Sequence, residues 1–363
     1  MLRQTAYLNT GTAGPWPTPV TDALCAALAR EADLGRASPR GLPDFPPTLA
    51  ATRDRLAHWV GAEPGELALV GSTTIGVNVV VSGLDWQPGD EVVTTSIEHR
   101  GVLVPLQRLA ARRGVRLLIA DVGNGSSALS ALRDLLSPRT RLVALSHVSF
   151  STGALLPINE IAHMAHTTGA HILVDGAQAV GAMRVDVHAL DVDYYAFSGQ
   201  KWLCGPESTG GLYVRRERQA DLAATFVGTR SAQPGAAGYE YSTLFRPGVH
   251  ALLAALDWLE SIGPDVVFAR VADLAAYCSD RLSAVAGVEL LTPSDAHAGL
   301  VHVRLRELDF EACVGALAER GVTVRAVPDT QSLRVSCAFF NTRADIDRLV
   351  DALKVLSPSR ASR

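Results

Sequence analysis

The sequence lacks the segments that direct a protein to a membrane or to nucleic acid. No stretch of about 18 uninterrupted apolar residues occurs in the 363-residue chain, so no transmembrane helix is predicted. The N-terminal stretch has no apolar core, and we expect no signal peptide. Charged residues make up only 19% of the chain, the net charge is −4, and no long basic run occurs. This balance predicts neither a nucleic acid nor a membrane surface as a partner.

Cysteine is scarce, and its spacing suggests no pairing. The five cysteines are odd in number, widely scattered and without a C-x-x-C motif; they are Cys25, Cys204, Cys278, Cys313 and Cys337. Such cysteine usage predicts a reduced, cytoplasmic compartment.

Two common site motifs are also missing. No G-x-G-x-x-G follows a strand candidate, so a nicotinamide cofactor lacks its fingerprint. His163 and His166 lie three residues apart, but no H-E-x-x-H or companion carboxylate accompanies them, and we predict no metal site.

The middle of the chain alternates between short apolar runs and helix-like stretches. The runs that read as strands are 66–72, 90–96, 115–121, 141–149, 171–177, 192–199 and 210–216. Strands that are apolar on both faces and alternate with helices indicate a mainly parallel sheet covered on two sides. The sequence therefore predicts an α/β architecture.

A composition shift divides the chain towards its C-terminal end. Residues 228–248 are rich in glycine, proline and small polar residues and are interpreted as a long loop, which is usually functional or mobile. A helical run follows, and then a second α/β unit with strand candidates at 299–305, 321–327 and 332–338. We place the boundary between the two units near residue 262.

Polar residues follow the strand candidates, where open α/β sheets bind their ligands. The first strand candidate is followed by Ser72, Thr73 and Thr74, which fit either a phosphate-binding loop or a plain helix cap. Taken alone, the helix cap is the simpler interpretation. His99 ends the next strand, where a lone histidine is more often packed than catalytic.

Two charged residues complete this set. Asp175 closes a buried apolar strand and requires a cation or hydrogen bonds there. Lys201 follows a later strand, in the stretch FSGQKWLCGP. A phosphate loop, a buried carboxylate and a strand-end lysine on one sheet suit pyridoxal 5'-phosphate. The lysine forms a Schiff base with its aldehyde, and the aspartate pairs with its protonated pyridine nitrogen.

Several longer motifs extend this pattern over nearly the whole chain: YLNTGTAG, STTIGVN, TSIEHRG, HVSFSTGALLPINEI, VDGAQAVG, AFSGQKW and LRVSCAFFNT. With them the chain resembles the class V aminotransferase family of fold-type I pyridoxal phosphate enzymes. It is similar to the branch that holds cysteine desulfurases, cysteine C–S lyases and isopenicillin N epimerase, and most similar to the C–S lyase-type members. The resemblance implies a large domain, 17–262, with a mainly parallel seven-stranded sheet and a smaller C-terminal α/β domain, 263–363. It places the N-terminal segment 1–16 near the active site.

The resemblance also implies the residues that contact the cofactor. Lys201 matches the Schiff-base lysine, Asp175 the partner of the pyridine nitrogen, and His99 the histidine stacked on the ring; these three are the catalytic candidates. Gln178 matches the residue near the phenolic oxygen. The expected phosphate contacts are Thr73, Thr74, Ser198 and Gln200 from one subunit and Ser242 and Thr243 from its neighbour. Contacts from a neighbour imply a homodimer with shared active sites.

On the substrate side, the resemblance assigns Arg334 to the α-carboxylate and Asn9, Thr10 and Gly11 to the pocket wall. Gln200 departs from the histidine of many relatives and makes its phosphate contact neutral. The loop between Arg325 and Arg334 also lacks the cysteine with which desulfurases attack the substrate sulfur. We expect Cys337 to pack in the core and Cys204 to have no catalytic role.

These features predict an enzyme rather than a scaffold that kept only the fold. The expected reaction is β-elimination on an S-substituted cysteine. Lys201, displaced by the substrate amine, removes the α-proton, and the products are a thiol, pyruvate and ammonia. Epimerisation at the α-carbon, or another pyridoxal phosphate reaction such as decarboxylation-linked deamination, stays open as an alternative. Cysteine desulfuration is disfavoured because the loop cysteine is absent.

Overall fold

The computed structural model describes residues 4–40, 43–241, 243–294, 298–306 and 308–356. Its centre is a seven-stranded sheet with the strand order β2-β8-β7-β6-β5-β3-β4. Strands β3 to β7 run parallel to one another, whereas β8 runs antiparallel to both β7 and β2. The predicted mainly parallel seven-stranded sheet is thereby confirmed. The strands are β2 Leu67–Leu69, β3 Glu91–Thr95, β4 Arg116–Ala120, β5 Thr140–Ser146, β6 His171–Asp175, β7 Tyr194–Ser198 and β8 Gly210–Val214.

Both faces of this sheet are covered because its strands are apolar on both sides. In β3, Val92 packs into the cluster on one face and Val93 into the cluster on the other, and both are fully buried. This alternation is typical of parallel strands under two layers of helices. The helices of this unit are α1 Thr18–Leu34, α2 Phe45–Val60, α3 Thr73–Gly83, α4 Arg100–Arg113, α5 Ala128–Arg133, α6 Ile158–Thr167 and α7 Arg246–Ile262.

The C-terminal unit is built on a four-stranded antiparallel sheet with the strand order β12-β13-β10-β9. Its strands are β9 Val288–Leu290, β10 Leu300–Leu305, β12 Arg325–Val327 and β13 Ser332–Ser336, and its helices are α8 Pro264–Ser283, α9 Phe310–Glu319 and α10 Arg343–Leu356. The proposed domain boundary after residue 262 falls between α7 and α8. No helix in the described ranges is long and apolar enough to cross a membrane.

The N-terminal segment joins the C-terminal unit. Strand β1, Ala6–Tyr7, pairs in parallel with β11, Val322–Thr323. Leu8 is fully buried in the core of the C-terminal unit. The chain then crosses to the large sheet, where the N–H of Gly14 donates to the Gln200 carbonyl at 2.7 Å. This segment therefore spans both units beside the lysine loop.

The stretch interpreted as a long loop contains regular structure. Two short 3₁₀ helices, Thr229–Ala232 and Gly235–Tyr239, precede α7. The stretch is anchored by Glu240, which is fully buried and pairs with Arg53 at 2.8 Å and Arg230 at 2.7 Å. Because a buried carboxylate requires such partners, Glu240 ties this stretch to the body of the protein.

Replacing Glu240 with alanine should destabilise the protein by about 3 kcal/mol, because two partly buried guanidinium groups lose their carboxylate. Urea or thermal unfolding measures this change. Glu217→Ala is the matched control, since Glu217 is an exposed acid without an ion pair in the described ranges, and its effect should stay within about 0.5 kcal/mol. Equal stability of the two variants would contradict the anchoring role of Glu240.

Candidate active site

A pocket of about 230 Å³ lies at the carboxyl ends of the large-sheet strands, facing the C-terminal sheet. It is lined by Gly11, Thr12, Ser72, Thr73, Thr74, His99, Phe150, Asp175, Ala177, Gln178, Ser198, Gln200, Lys201, Arg325 and Arg334. Of the residues predicted from the sequence, the lining lacks Asn9, Thr10 and Thr243, and Ser242 lies outside the described residues. The structure therefore brings the other predicted residues together in this one pocket, which we call the active pocket.

A larger cavity, of about 300 Å³, lies between α1 and the start of α7. Each of its three arginines already has a carboxylate partner: Arg30 pairs with Asp44, and Arg246 and Arg36 pair with Glu31 at 2.9 Å and 3.4 Å. Size alone therefore does not mark the functional site, whereas the unpaired charges of the active pocket do.

The first turn of α3 forms one end of the active pocket. Ser72 caps the helix by accepting from the N–H of Ile75 at 3.3 Å. The hydroxyl of Ser198 accepts from the N–H of Thr73 at 2.9 Å and lies 2.8 Å from the Thr73 hydroxyl. The helix cap and the hydroxyl cluster are thus both present. A helix N-terminus surrounded by hydroxyl groups suits a phosphate.

Lys201 and Asp175 lie at the ends of neighbouring strands. Asp175, the last residue of β6, is buried and accepts from the N–H of Ala177 at 2.9 Å. Burial lowers the pKa of Lys201 from 10.5 to about 8; the Asp175 carboxylate raises it, and Arg334 and Arg325 lower it further. In the described part of the chain Lys201 forms no ion pair. Its amine is therefore far more often neutral near pH 7 than an ordinary lysine is.

His99 lies where α4 begins, and it is held as a neutral ring. Its Nδ1 accepts from the N–H of Gly101 at 3.0 Å, which leaves the proton of the neutral ring on Nε2. Burial lowers the pKa of His99, although Asp175 opposes this shift. The ring of Phe150 meets it edge to face, with 4.8 Å between the centroids. These contacts fix the plane of the imidazole.

The amide of Gln178 is fixed from both sides. Its Nε2 donates to the Gly11 carbonyl at 2.9 Å, and its Oε1 accepts from the indole N–H of Trp202 at 2.9 Å. A Cβ atom on Gly11 would lie 2.9 Å from this Oε1, so glycine allows the N-terminal segment to approach. In the neighbouring loop, Oε1 of Gln200 is buried without a partner among the described residues, as an atom facing a ligand would be.

Two arginines of the C-terminal sheet face the active pocket. Arg334 is almost fully buried; one of its Nη atoms donates to the Thr12 hydroxyl at 2.7 Å, and its Nε has no partner among the described residues. Burial lowers the pKa of Arg334 to about 9, and Arg325, directly opposite on β12, lowers it further. Neither guanidinium forms an ion pair with a described carboxylate. Such an unpaired buried cation indicates an anionic ligand.

The remaining residues singled out from the sequence do not line the active pocket. Asn9 accepts from Arg334 at 3.4 Å and so lies behind the pocket wall, while Thr10 is buried with its hydroxyl unpartnered among the described residues. Thr243 is exposed. Cys204 is fully buried, and burial raises the pKa of its thiol to about 12. Cys337 is also fully buried and packs in the core of the C-terminal unit.

Sequence reasoning missed four residues that line the active pocket: Thr12, Phe150, Ala177 and Arg325. The position of Arg325 in the active pocket can be predicted from the sequence. The four residues 328–331 between two apolar runs predict a hairpin, and its register places Arg325 opposite Arg334. Phe150 gives no such signal, because an aromatic residue after a strand usually belongs to the core.

The sequence profile of the family described as aminotransferase class-V matches residues 7–349. A cysteine desulfurase from Haloferax volcanii is 34% identical over 83% of this chain and 77% of its own length. An isopenicillin N epimerase from Amycolatopsis lactamdurans is 33% identical over 96% of this chain and 92% of its own length.

Among solved structures, the cystine C–S lyase C-DES in complex with cysteine persulfide superposes with a TM-score of 0.92 at 30% identity, over 97% of this chain and 98% of that chain. A variant of C-DES has also been solved with glycine covalently linked to its PLP cofactor.

The lowered pKa of Lys201 makes its reactivity dependent on pH. Because the neutral amine is the nucleophile, the rate at which pyridoxal 5'-phosphate binds covalently to the apoprotein should rise with pH, with a midpoint near 8. The growth of visible absorbance after mixing measures this rate. Asp175→Asn removes a charge that raises the pKa of Lys201 and should move the midpoint to lower pH. Lys201→Ala should form no such band. A midpoint near 10 would show that Lys201 is an ordinary, solvated lysine.

Proposed function

Because the chain belongs to the aminotransferase class-V family and uses pyridoxal 5'-phosphate, we propose that it is a C–S lyase acting on S-substituted cysteines. The observation that carries this proposal is the absence of any cysteine from the lining of the active pocket in the described residues. Cys204 and Cys337 are both fully buried, and the loop between Arg325 and Arg334 contains only a short 3₁₀ helix, Pro328–Thr330. A desulfurase needs an accessible thiol there, whereas β-elimination needs none.

The donors around the active pocket fit the cofactor. We assign Thr73, Thr74, Ser198 and Gln200 to its phosphate, since they supply hydroxyl and amide groups beside a helix N-terminus. Asp175 would supply the anion that a protonated pyridine nitrogen requires, and the buried amine of Lys201 would supply the covalent link. When bound, the cofactor draws electrons away from the α-carbon of an amino acid. The neutral ring of His99 offers a flat face without a competing charge.

The remaining steps depend on the side chains of the protein. Arg334 holds the α-carboxylate, which fixes the orientation of the α-carbon. Once the substrate amine has displaced it, the neutral amine of Lys201 takes the α-proton as a general base. The electron pair released at the α-carbon forms a double bond to the β-carbon as the Cβ–S bond breaks. Sulfur leaves as a thiolate and gains a proton. The three-carbon enamine takes up water and gives pyruvate and ammonium, which balances the reaction.

The assignment of Ser242 and Thr243 implies a homodimer, in which each copy supplies phosphate contacts to the other. Thr243 is exposed and does not line the active pocket of its own chain, which supports this proposal. The preceding stretch carries exposed apolar side chains, including Phe226 and Val227, that a second copy would cover.

Pyruvate formation tests the proposed reaction. The purified protein with cofactor should release pyruvate from S-alkyl cysteines or cystine, and lactate dehydrogenase measures it. Serine, which has no sulfur leaving group, is the control substrate. An epimerase, the second candidate because of the similarity to isopenicillin N epimerase, would instead exchange the α-proton for deuterium with inversion and no pyruvate. No pyruvate from any thioether, disulfide or sulfoxide of cysteine would refute the lyase function.

Replacing Arg334 with alanine should raise the KM for the amino-acid substrate roughly ten- to a hundredfold. The reason is the loss of a charge-assisted pair worth about 1.5–3 kcal/mol. Steady-state kinetics at saturating cofactor measure this change. Arg334→Lys keeps the charge without the two-pronged donor and should give an intermediate KM. The same KM in the alanine variant and in the original protein would exclude this contact.

A further inference from the structure

A second cavity, of about 240 Å³, adjoins the active pocket, and we call it the side pocket. The two cavities share His99, Phe150 and Arg325 as wall residues. The rest of the side-pocket wall is formed by Arg100 and the segment 326–329. Because three residues belong to both walls, a molecule held in the active pocket can extend into the side pocket.

The side pocket carries unused positive charge. Arg100 at the start of α4 has no side-chain partner in the described part of the chain. There the guanidinium of Arg325 forms one hydrogen bond, to the Thr12 hydroxyl at 3.0 Å. Asp329 lies on the same wall but forms no ion pair with either arginine. Two guanidinium groups and one carboxylate leave an excess of one positive charge. Guanidinium groups without a carboxylate partner are suited to bind one from a ligand.

The remaining wall is apolar. Phe150 lies between the two cavities, and its ring is fixed by its edge contact with His99. Val327 and Pro328 supply further apolar surface. A molecule that fits these walls has a short apolar stem beside Phe150 and an anionic end beside the arginines.

We propose that the side pocket binds the group attached to the substrate sulfur, and that the substrates are cysteine conjugates whose sulfur substituent ends in a carboxylate. This proposal rests on the proposed C–S lyase function. Arg334 holds the α-carboxylate, while Arg325 and Arg100 hold the second carboxylate. The Cβ–S bond breaks as described above, and the released thiol carries the second carboxylate away.

A pair of substrates of nearly equal size tests the proposal on the enzyme with its cofactor. S-(2-carboxyethyl)cysteine carries the second carboxylate, and S-(2-carbamoylethyl)cysteine carries a neutral amide of the same shape. We expect kcat/KM to be about tenfold higher for the acid, as a charge-assisted hydrogen bond predicts. In Arg325→Ala and in Arg100→Ala this ratio should fall towards one. Arg108→Ala is the charge-matched control, because Arg108 is exposed on the same helix and outside the side pocket; it should leave the ratio unchanged.

Binding separates this proposal from the proposed reaction. Titration of each conjugate into the enzyme, followed by the visible absorbance of the cofactor, gives a Kd even where no pyruvate forms. Tighter binding of the acid that is lost in Arg325→Ala supports the side pocket, whatever reaction follows. Equal Kd values for acid and amide in the original enzyme would overturn the proposal. An equal loss of affinity for both in Arg325→Ala would also overturn it, because Arg325 would then share the α-carboxylate with Arg334. An unchanged cofactor spectrum in each variant shows that the fold is intact.

Discussion

The negative charge of Asp175 is the constraint on which the rest of the active pocket depends. It is buried at the end of β6 and accepts a hydrogen bond from the backbone N–H of Ala177. Neighbouring groups adjust their protonation to it. Burial lowers the pKa of Lys201 and Asp175 limits that fall, so that the amine titrates near neutral pH. Burial raises the pKa of Glu98 to about 7, and Asp175 adds to this rise. Glu98 is held by the Ser146 and Thr95 hydroxyls instead of a cation.

The fold was predictable because its signals are local. Apolar runs with polar strand ends give the seven strands of the large sheet, and the same runs place Asp175 and Lys201 at neighbouring strand ends. The contacts that escaped prediction are long-range. Strand β1 is only two residues long and finds its partner, β11, at the far end of the chain. Phe150 enters the active pocket through the packing of two units, which leaves no periodic pattern in the sequence. Arg325, by contrast, enters it through the register of a short hairpin, which the sequence does predict.

Charge is distributed differently inside and outside the active pocket. Away from it, three buried carboxylates each have two cationic partners: Glu91 pairs with Arg116 and Arg139, Asp193 with His166 and Arg218, and Glu240 with Arg53 and Arg230. Within it, two like charges lie directly opposite on neighbouring strands, an arrangement that destabilises a sheet. The two facing arginines therefore destabilise the fold locally, at a place where an anionic ligand would compensate their charge. Functional sites commonly lower stability in this way.

The N-terminal segment has a consequence for the order in which the protein folds. Thr5 bonds to the carbonyl of Gly321, 316 residues away, and Asn9 forms a bridge with Ser336. Contacts that close so large a loop form late, because the chain entropy must be lost before they contribute. During synthesis, residues 5–14 leave the ribosome long before the strands that hold them. The wall of the active pocket is therefore completed only after the C-terminal unit exists, and an incompletely translated chain presents the lysine loop without its cover.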